Sequence, residues 1–288
     1  MSLSPQLGDH IYNTPIPRDL QGRYIVGYIA SIRMLHLLTT MKTTYNRQQL
    51  LHFFCNDPCQ EWPFTKQVCE PTLVSTTFDS EIFTDSDFKR SNIHKDATIL
   101  GSVKKRKAEF LAGRICAREA LSIHGNTECN ILANRDRSPE WPQAVVGSIT
   151  HTDNAAAAVV ASKEQYQGVG VDFQELTYDT SISEIVLTPL EQQRLFAMDS
   201  AEKYVYLTII FSLKECLFKA LYPIIKIYFD FQYAEITKVG SNTASIVLRK
   251  NLSEEWQKGT VLCGYYVLSD NIIKSIILIQ NRKYSNLK

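Results

Sequence analysis

"GVGVDFQEL", Gly168 to Leu176, runs apolar for several residues and then turns acidic at Asp172. The side chains of a strand alternate, so Gly170, Asp172 and Gln174 share one face and Val169, Val171 and Phe173 the other. The stretch reads as a buried strand. A carboxylate at the mouth of such a strand needs a partner: a cationic side chain, a hydrogen-bond donor or a metal ion.

On its N-terminal side, "TLVSTTFD" (Thr72 to Asp79) reads as a β-branched strand. A polar linker follows to about Ala97, then a helix from about Ser102 to His124, which Gly125 and Asn126 stop. Asn134 to Gln143, with its prolines, reads as loop; "AVVGSIT" and "AAAAVVA" read as short strands joined by a turn at "HTDN". On the C-terminal side, helices are expected at about Thr188 to Met198 and Glu202 to Tyr222. Strands are expected at "ASIVLRK", "VLCGYYVLS" and "NIIKSIILIQ". The order strand, helix, strands thus occurs twice, which predicts an α/β (α+β) chain of two similar halves dividing near Gly168. The halves are taken as residues 66–167 and 168–288. Residues 1–65 stand apart as an N-terminal extension, with helices expected near Ile25 to Leu38 and Arg47 to Phe54.

With 288 residues, 44% of them hydrophobic, the chain can bury a sizeable core. A net charge of +1 gives no global reason to bind nucleic acid or an anionic membrane. The opening "MSLSPQLGDH" lacks the basic-then-apolar order of a secretory signal, and "YVYLTIIFSL" (Tyr204 to Leu213) is too short to span a bilayer. The chain reads as a soluble, cytoplasmic protein without stable membrane insertion. Its seven cysteines are mostly scattered. His52, Cys55, Cys59 and Cys69 are the densest group, but the Cys-x3-Cys spacing with Pro58 inside it is not a usual zinc pattern. Reduced, non-ligating thiols are expected.

"FSLKECLFKA" (Phe211 to Ala220) carries the strongest chemical signal. At helical spacing Tyr204, Leu207, Phe211, Phe218 and Tyr222 form one apolar face, and Glu215 lies on it. A glutamate there must be paired or bound to a cation. Two readings are open: a helix ion pair from Glu215 to Lys219, four residues on, or convergence of Glu215 with Asp172 on one hard cation. Magnesium is commonly held by one or two carboxylates plus phosphate oxygens and water.

"KKRKAEFLAGRICAREAL" (Lys104 to Leu121) opens with four consecutive cations, which oppose the helix dipole unless an anion is near. Arg106, Phe110, Arg114 and Ala117 share a face, which suits a bound phosphate; the run alone would favour a solvated charge run or a localisation signal, but Arg114, buried by periodicity, favours the phosphate. In "GSITHTD" (Gly147 to Asp153), Ser148, Thr150 and His151 offer hydroxyls and an imidazole to a phosphate or ribose.

"KRKAEFLAGRICAREAL", "WPQAVVGSITHT", "GVGVDFQEL", "VLTPLEQQRL" and "FSLKECLFKA", in this order and spacing, closely resemble the 4'-phosphopantetheinyl transferases of the siderophore-synthesis (enterobactin, Sfp-like) type, over roughly Thr72 to Tyr222. The resemblance implies a pseudo-twofold fold of two halves with coenzyme A and Mg2+ between them. It implies transfer of the phosphopantetheine arm of coenzyme A to a serine of an apo acyl-, peptidyl- or aryl-carrier protein. Adenosine 3',5'-bisphosphate would be released, in siderophore or other nonribosomal peptide or polyketide synthesis. By match, Asp172 and Glu215 are implied as metal ligands, and Lys214 and Lys219 as neighbours of the pyrophosphate. Arg106, Arg114, Ser148 and His151 are implied near the nucleotide and its 3'-phosphate. Glu215 and Glu191 are the candidate bases, with Lys219 beside them. Gln174 is a departure, since the bacterial pattern here is usually Asp-x-Glu; a water held by the amide could take the third ligand position.

Other readings compete. Another magnesium enzyme of phosphate chemistry would use the same acids, although no GxxxxGK[ST] loop is present. A non-catalytic member of the fold would bind coenzyme A or a carrier protein without transfer. A nucleic-acid-binding module rests on "KKRK" alone. Carrier proteins are typically acidic, so a basic or apolar docking groove is expected, with "YPIIKIYF" (Tyr222 to Phe229) as a candidate. A monomer is expected, because the two halves lie within one chain.

Overall fold

The computed structural model describes residues 53–65, 71–126 and 130–281, all within one compact unit, Phe53–Lys288. The helix expected at Ile25 to Leu38 lies outside the described residues, as does Arg47 to His52 of the one expected at Arg47 to Phe54, whose last two residues, Phe53 and Phe54, are not helical.

Each half contributes an antiparallel sheet covered by one long helix. The first sheet has the order β1 (Cys59–Gln60), β2 (Thr72–Thr77), β4 (Ala155–Ser162), β3 (Val145–His151). The second has the order β5 (Tyr166–Glu175), β9 (Ile272–Gln280), β8 (Val261–Ser269), β7 (Thr243–Leu248), β6 (Ala234–Val239). Helix α1 (Lys104–Ile123) lies on the first sheet, burying Leu111, Ile115 and Leu121 against Val74, Ala158 and Val160. Helix α3 (Ser200–Ile225) lies on the second, burying Leu213, Leu217 and Leu221 against Ile246, Ile273 and Ile277. The shorter α2 (Pro189–Phe196) precedes α3. A third apolar cluster joins Leu73, Ala157 and Val159 to Val169, Val171 and Phe173, so one face of β5 is buried against the first sheet. The mixed α/β architecture of two similar halves agrees with the sequence.

Residues 53–65, counted with the extension on sequence grounds, belong to this unit. Phe54, Cys55 and Phe64 are buried, and β1 pairs with β2. Cys55 is close to Thr76 Oγ1 at 3.4 Å, and burial pushes its thiol up to about 11. Cys59 is exposed; His52 and Cys69 lie outside the described residues.

The other face of β5 is the one that matters for the site. A Cβ built on Gly170 would stand 1.9 Å from the carbonyl oxygen of Cys216, and one on Gly168 would stand 2.3 Å from that of Ala220. Only glycine lets the α3 backbone press onto β5 this closely. That contact carries Ser212, Glu215 and Lys219 to the level of Asp172.

Candidate active site

The two sheets meet where β3 runs beside β5, and side-chain hydroxyls make the polar bonds of the seam. The Val171 N–H donates to Ser148 Oγ and the Phe173 N–H to Thr150 Oγ1, each at 3.1 Å. Thr150 in turn donates to Asp172 Oδ1 at 3.1 Å. From α3, Ser212 donates to Asp172 Oδ2 at 2.9 Å and Lys219 Nζ to Oδ1 at 2.7 Å. The buried Asp172 thus has the cation and donors its position demands.

Lys219 also donates to the carbonyl of Val171 at 3.2 Å. The helix ion pair from Glu215 to Lys219 does not form, because the lysine reaches across to β5 instead. Burial alone would lower the Lys219 ammonium; the Asp172 carboxylate, with Cys216 and Glu215, reverses this and holds it above its ordinary value. Burial raises the Glu215 carboxyl and nearby Asp172 adds to the rise, against the opposing pull of Lys219. Glu215 accepts no hydrogen bond among the described residues.

A carboxylate so placed beside a second carboxylate suits a hard divalent cation, so the residues fit the metal that the sequence pattern implies. They supply only part of a shell: among the described residues no group of three or more His, Cys, Asp and Glu could hold a metal ion. Gln174 lies next in line on the same face of β5, its amide 3.4 Å from the Glu175 carbonyl.

At the far end of β3, Arg106 Nη1 bonds His151 Nε2 at 2.6 Å and Glu109 Oε2 at 3.2 Å. Burial lowers the His151 imidazole, helped by Arg106 and Lys219, while Glu109 and Asp172 oppose. The other cations opening α1 are matched by the protein's own groups. Lys105 pairs with Asp153 at 2.6 Å, Lys107 with Asp85 at 3.4 Å, and Lys104 bonds the carbonyl of Glu81. Their need for an external anion is correspondingly smaller than the sequence suggests. Arg114 is buried as periodicity requires, 4.7 Å from the Phe110 ring, and burial pushes its guanidinium down to about 10. One NH2 group reaches the Leu132 carbonyl at 3.4 Å, and Nε has no partner among the described residues.

Three of the expected site residues are placed differently. Lys214 points inward and pairs with Glu191 at 2.7 Å, their side chains 1% and 0% exposed. It also donates to the carbonyl of Val186 at 2.8 Å, so it is not free to meet a pyrophosphate. Glu191 is the N3 residue of a capping box: it accepts from Thr188 N at 2.7 Å, and Pro189 starts the helix. It further accepts from Ile236 N at 2.6 Å, and Arg194 donates to the Ile236 carbonyl at 2.7 Å, which satisfies the open edge of β6. Both oxygens of Glu191 are thus engaged by groups of the protein, and this geometry gives a base role for it no support. Ser148 turns its oxygen into the seam, and Thr150 is the hydroxyl that reaches Asp172.

Ser212 and Glu109 were missed as site residues, and Thr150, offered above to a phosphate or ribose, meets Asp172 instead. Ser212 had a sequence signal, a small polar residue in an apolar helix; Glu109 had none beyond its neighbours. Beside the site, a cleft of about 430 Å³ is lined by Trp141, Ile149, Phe218, Lys219 and Tyr222. A smaller one of about 140 Å³ includes Lys214, Glu215 and Phe231, and Phe218 and Tyr228 line both. Of "YPIIKIYF", Tyr222 and Tyr228 thus face the clefts, Ile227 is exposed and Phe229 is core.

Residues 94–161 match the family model of the 4'-phosphopantetheinyl transferase N-terminal domain, and residues 168–269 that of the 4'-phosphopantetheinyl transferase superfamily. The chain belongs to this superfamily. It is 36% identical over 169 residues to 4'-phosphopantetheinyl transferase Npt of Nocardia iowensis, covering 58% of this chain and 75% of that one. It is 36% identical over 152 residues to enterobactin synthase component D of Escherichia coli strain K12, covering 52% and 70%. It is 28% identical over 176 residues to 4'-phosphopantetheinyl transferase PptT of Mycobacterium tuberculosis, covering 58% and 77%. No helix among the described residues is long and apolar enough to cross a membrane.

Proposed function

We propose that this chain moves the 4'-phosphopantetheine arm of coenzyme A onto a serine of an apo acyl-, peptidyl- or aryl-carrier protein, releasing adenosine 3',5'-bisphosphate. The observation that carries the reading is the convergence of Asp172, Glu215 and Lys219 at the seam between the halves. Family membership supplies the reaction class. The likeness to enterobactin synthase component D supports a role in siderophore or other nonribosomal peptide or polyketide synthesis. The chain is read as halves 66–167 and 168–288 acting as a monomer, the seam being internal to one chain.

Asp172 and Glu215 would hold Mg2+, with Gln174 contributing through a water, and coenzyme A phosphates and water completing the shell. Bound there, magnesium would supply positive charge to the phosphate oxygens as negative charge develops on them. Lys219, protonated at neutral pH, stands beside Asp172 and offers a second positive charge that needs no reorganisation. Arg106 and His151 would receive the 3'-phosphate side of the nucleotide. Arg106 carries the charge, and the imidazole, kept neutral by burial, holds the guanidinium in place. Arg114, whose buried Nε has no hydrogen-bond partner among the described residues, supports that end.

Glu215 is the proton acceptor. Its raised carboxyl lies nearer the operating pH than an ordinary glutamate, and no donor among the described residues competes for it. It would take the proton of the carrier serine as that oxygen attacks the β-phosphorus. The bond from β-phosphorus to the bridging oxygen breaks, and the adenosine bisphosphate leaves with that oxygen. The test is intact-mass analysis of an apo carrier protein incubated with the protein and coenzyme A, with Mg2+ or with chelator. A metal-dependent gain of one phosphopantetheine is expected; coenzyme A binding without any gain would replace catalysis by binding alone.

A further inference from the structure

Ser212 is a small polar residue in the most deeply packed part of α3, fully buried beside Leu213 and one turn from the buried Cys216. A serine inside a helix ordinarily returns its hydroxyl to the carbonyl four residues back. Thr208, one turn earlier, does so, donating to the Tyr204 carbonyl at 2.7 Å. Ser212 instead gives its hydroxyl to Asp172 Oδ2 at 2.9 Å. A buried hydroxyl among leucines has therefore been aimed across to β5.

A carboxylate offers about four acceptor positions, two on each oxygen. Asp172 Oδ1 has both of its positions taken, by Thr150 at 3.1 Å and Lys219 at 2.7 Å. Oδ2 has one taken, by Ser212, and one open. Thr150 is itself pinned by the Phe173 N–H, so Oδ1 is a fixed pivot and the Ser212 bond stops rotation about it. We infer that Ser212 is a positioning residue that orients Asp172, so that a divalent cation is met by Oδ2 alone through its open position. This rests on the metal reading of the site given above. Partners that orient a metal ligand are worth about 10–100-fold in metal affinity.

The test is Mn2+ binding by electron paramagnetic resonance, with the cation alone and with coenzyme A present, on the full chain and on Ser212→Ala. Affinity is expected to fall about 10-fold or more. Turnover of the variant should be low at limiting Mg2+ and recover as Mg2+ is raised. Ser212→Cys, close in size and a weak donor, should lie between the two, and it carries the test if the alanine variant does not fold. Unchanged Mn2+ affinity would overturn the inference, as would a turnover defect of the same size at every Mg2+ concentration, which marks a merely structural role. If the unmodified protein binds no Mn2+ with or without coenzyme A, the metal reading itself falls, and this inference with it.

Discussion

Replacing Lys214 by methionine separates the structural from the catalytic reading of this lysine. Its ammonium and the Glu191 carboxylate are 2.7 Å apart and shut off from solvent. Removing one partner of a buried pair typically costs about 3–5 kcal/mol, because the other charge is left uncompensated. Glu191 would keep two backbone donors, Thr188 N at 2.7 Å and Ile236 N at 2.6 Å, so the low end, about 3 kcal/mol, is expected. For a unit of this size that is a fall in Tm of about 6–12 °C. Circular dichroism melts at pH 7 would read it. At a temperature where Lys214→Met is folded, its turnover should stay within a few-fold of the unmodified protein. A variant of full stability that has lost turnover would refute this reasoning and return Lys214 to the phosphates.

Glu215→Gln should lower turnover by about 10²–10⁴-fold, the usual worth of a placed base, measured as holo-carrier formation at saturating coenzyme A. Because the folded-state Glu215 carboxyl is raised, its charge opposes folding as pH climbs past that value. The glutamine variant should therefore melt at or above the unmodified protein at pH 7, and the difference should vanish near pH 4. For His151, held below its ordinary value, the sign reverses: stability is complete above about pH 6.5 and is lost as pH falls toward the folded value. His151→Gln should remove that part of the acid sensitivity in melts between pH 7 and 5. Gly170→Ala puts a methyl 1.9 Å from the Cys216 carbonyl oxygen, so α3 must move off β5. A loss of about 1–3 kcal/mol is expected, with turnover down about 10²-fold from the displaced Glu215 and Lys219; an unchanged melt and full activity would show that the close contact is dispensable.

The alternation in "GVGVDFQEL" was enough to place Asp172 and Gln174 opposite Val171 and Phe173, because a strand sandwiched between a helix and a second sheet has no freedom to swap faces. The two strand–helix–strand halves were legible for the same reason. β6, "AEITKV", was not, since Glu235 and the exposed Lys238 interrupt its apolar run and the partners of Glu235 (Thr188, Arg194 and Arg249) come from elsewhere in the chain. The cations of "KKRK" looked unpartnered in sequence because Asp85 and Asp153 lie far from them along the chain. The local role of Glu191 was legible in sequence: Thr188, proline at the first helical position and glutamate at the third spell a capping box.

The lysines of α3 show where periodicity stops. Neighbouring residues on a helix are turned by about 100° from each other, so Lys214 and Glu215 cannot both face the seam. Spacing tells which residues share a side, but α3 is covered on nearly every side, and an apolar stripe that runs all round leaves the direction of the site undefined. Two charges then compete for two acids. Lys219 is opposite both Glu215 on its own helix and Asp172 across the seam, and the glycines of β5 decide the contest by bringing Asp172 within 2.7 Å. Glu215 is left without a donor among the described residues as a consequence. The unpartnered glutamate, which periodicity flagged as costly, follows from Gly168 and Gly170 as much as from its own position.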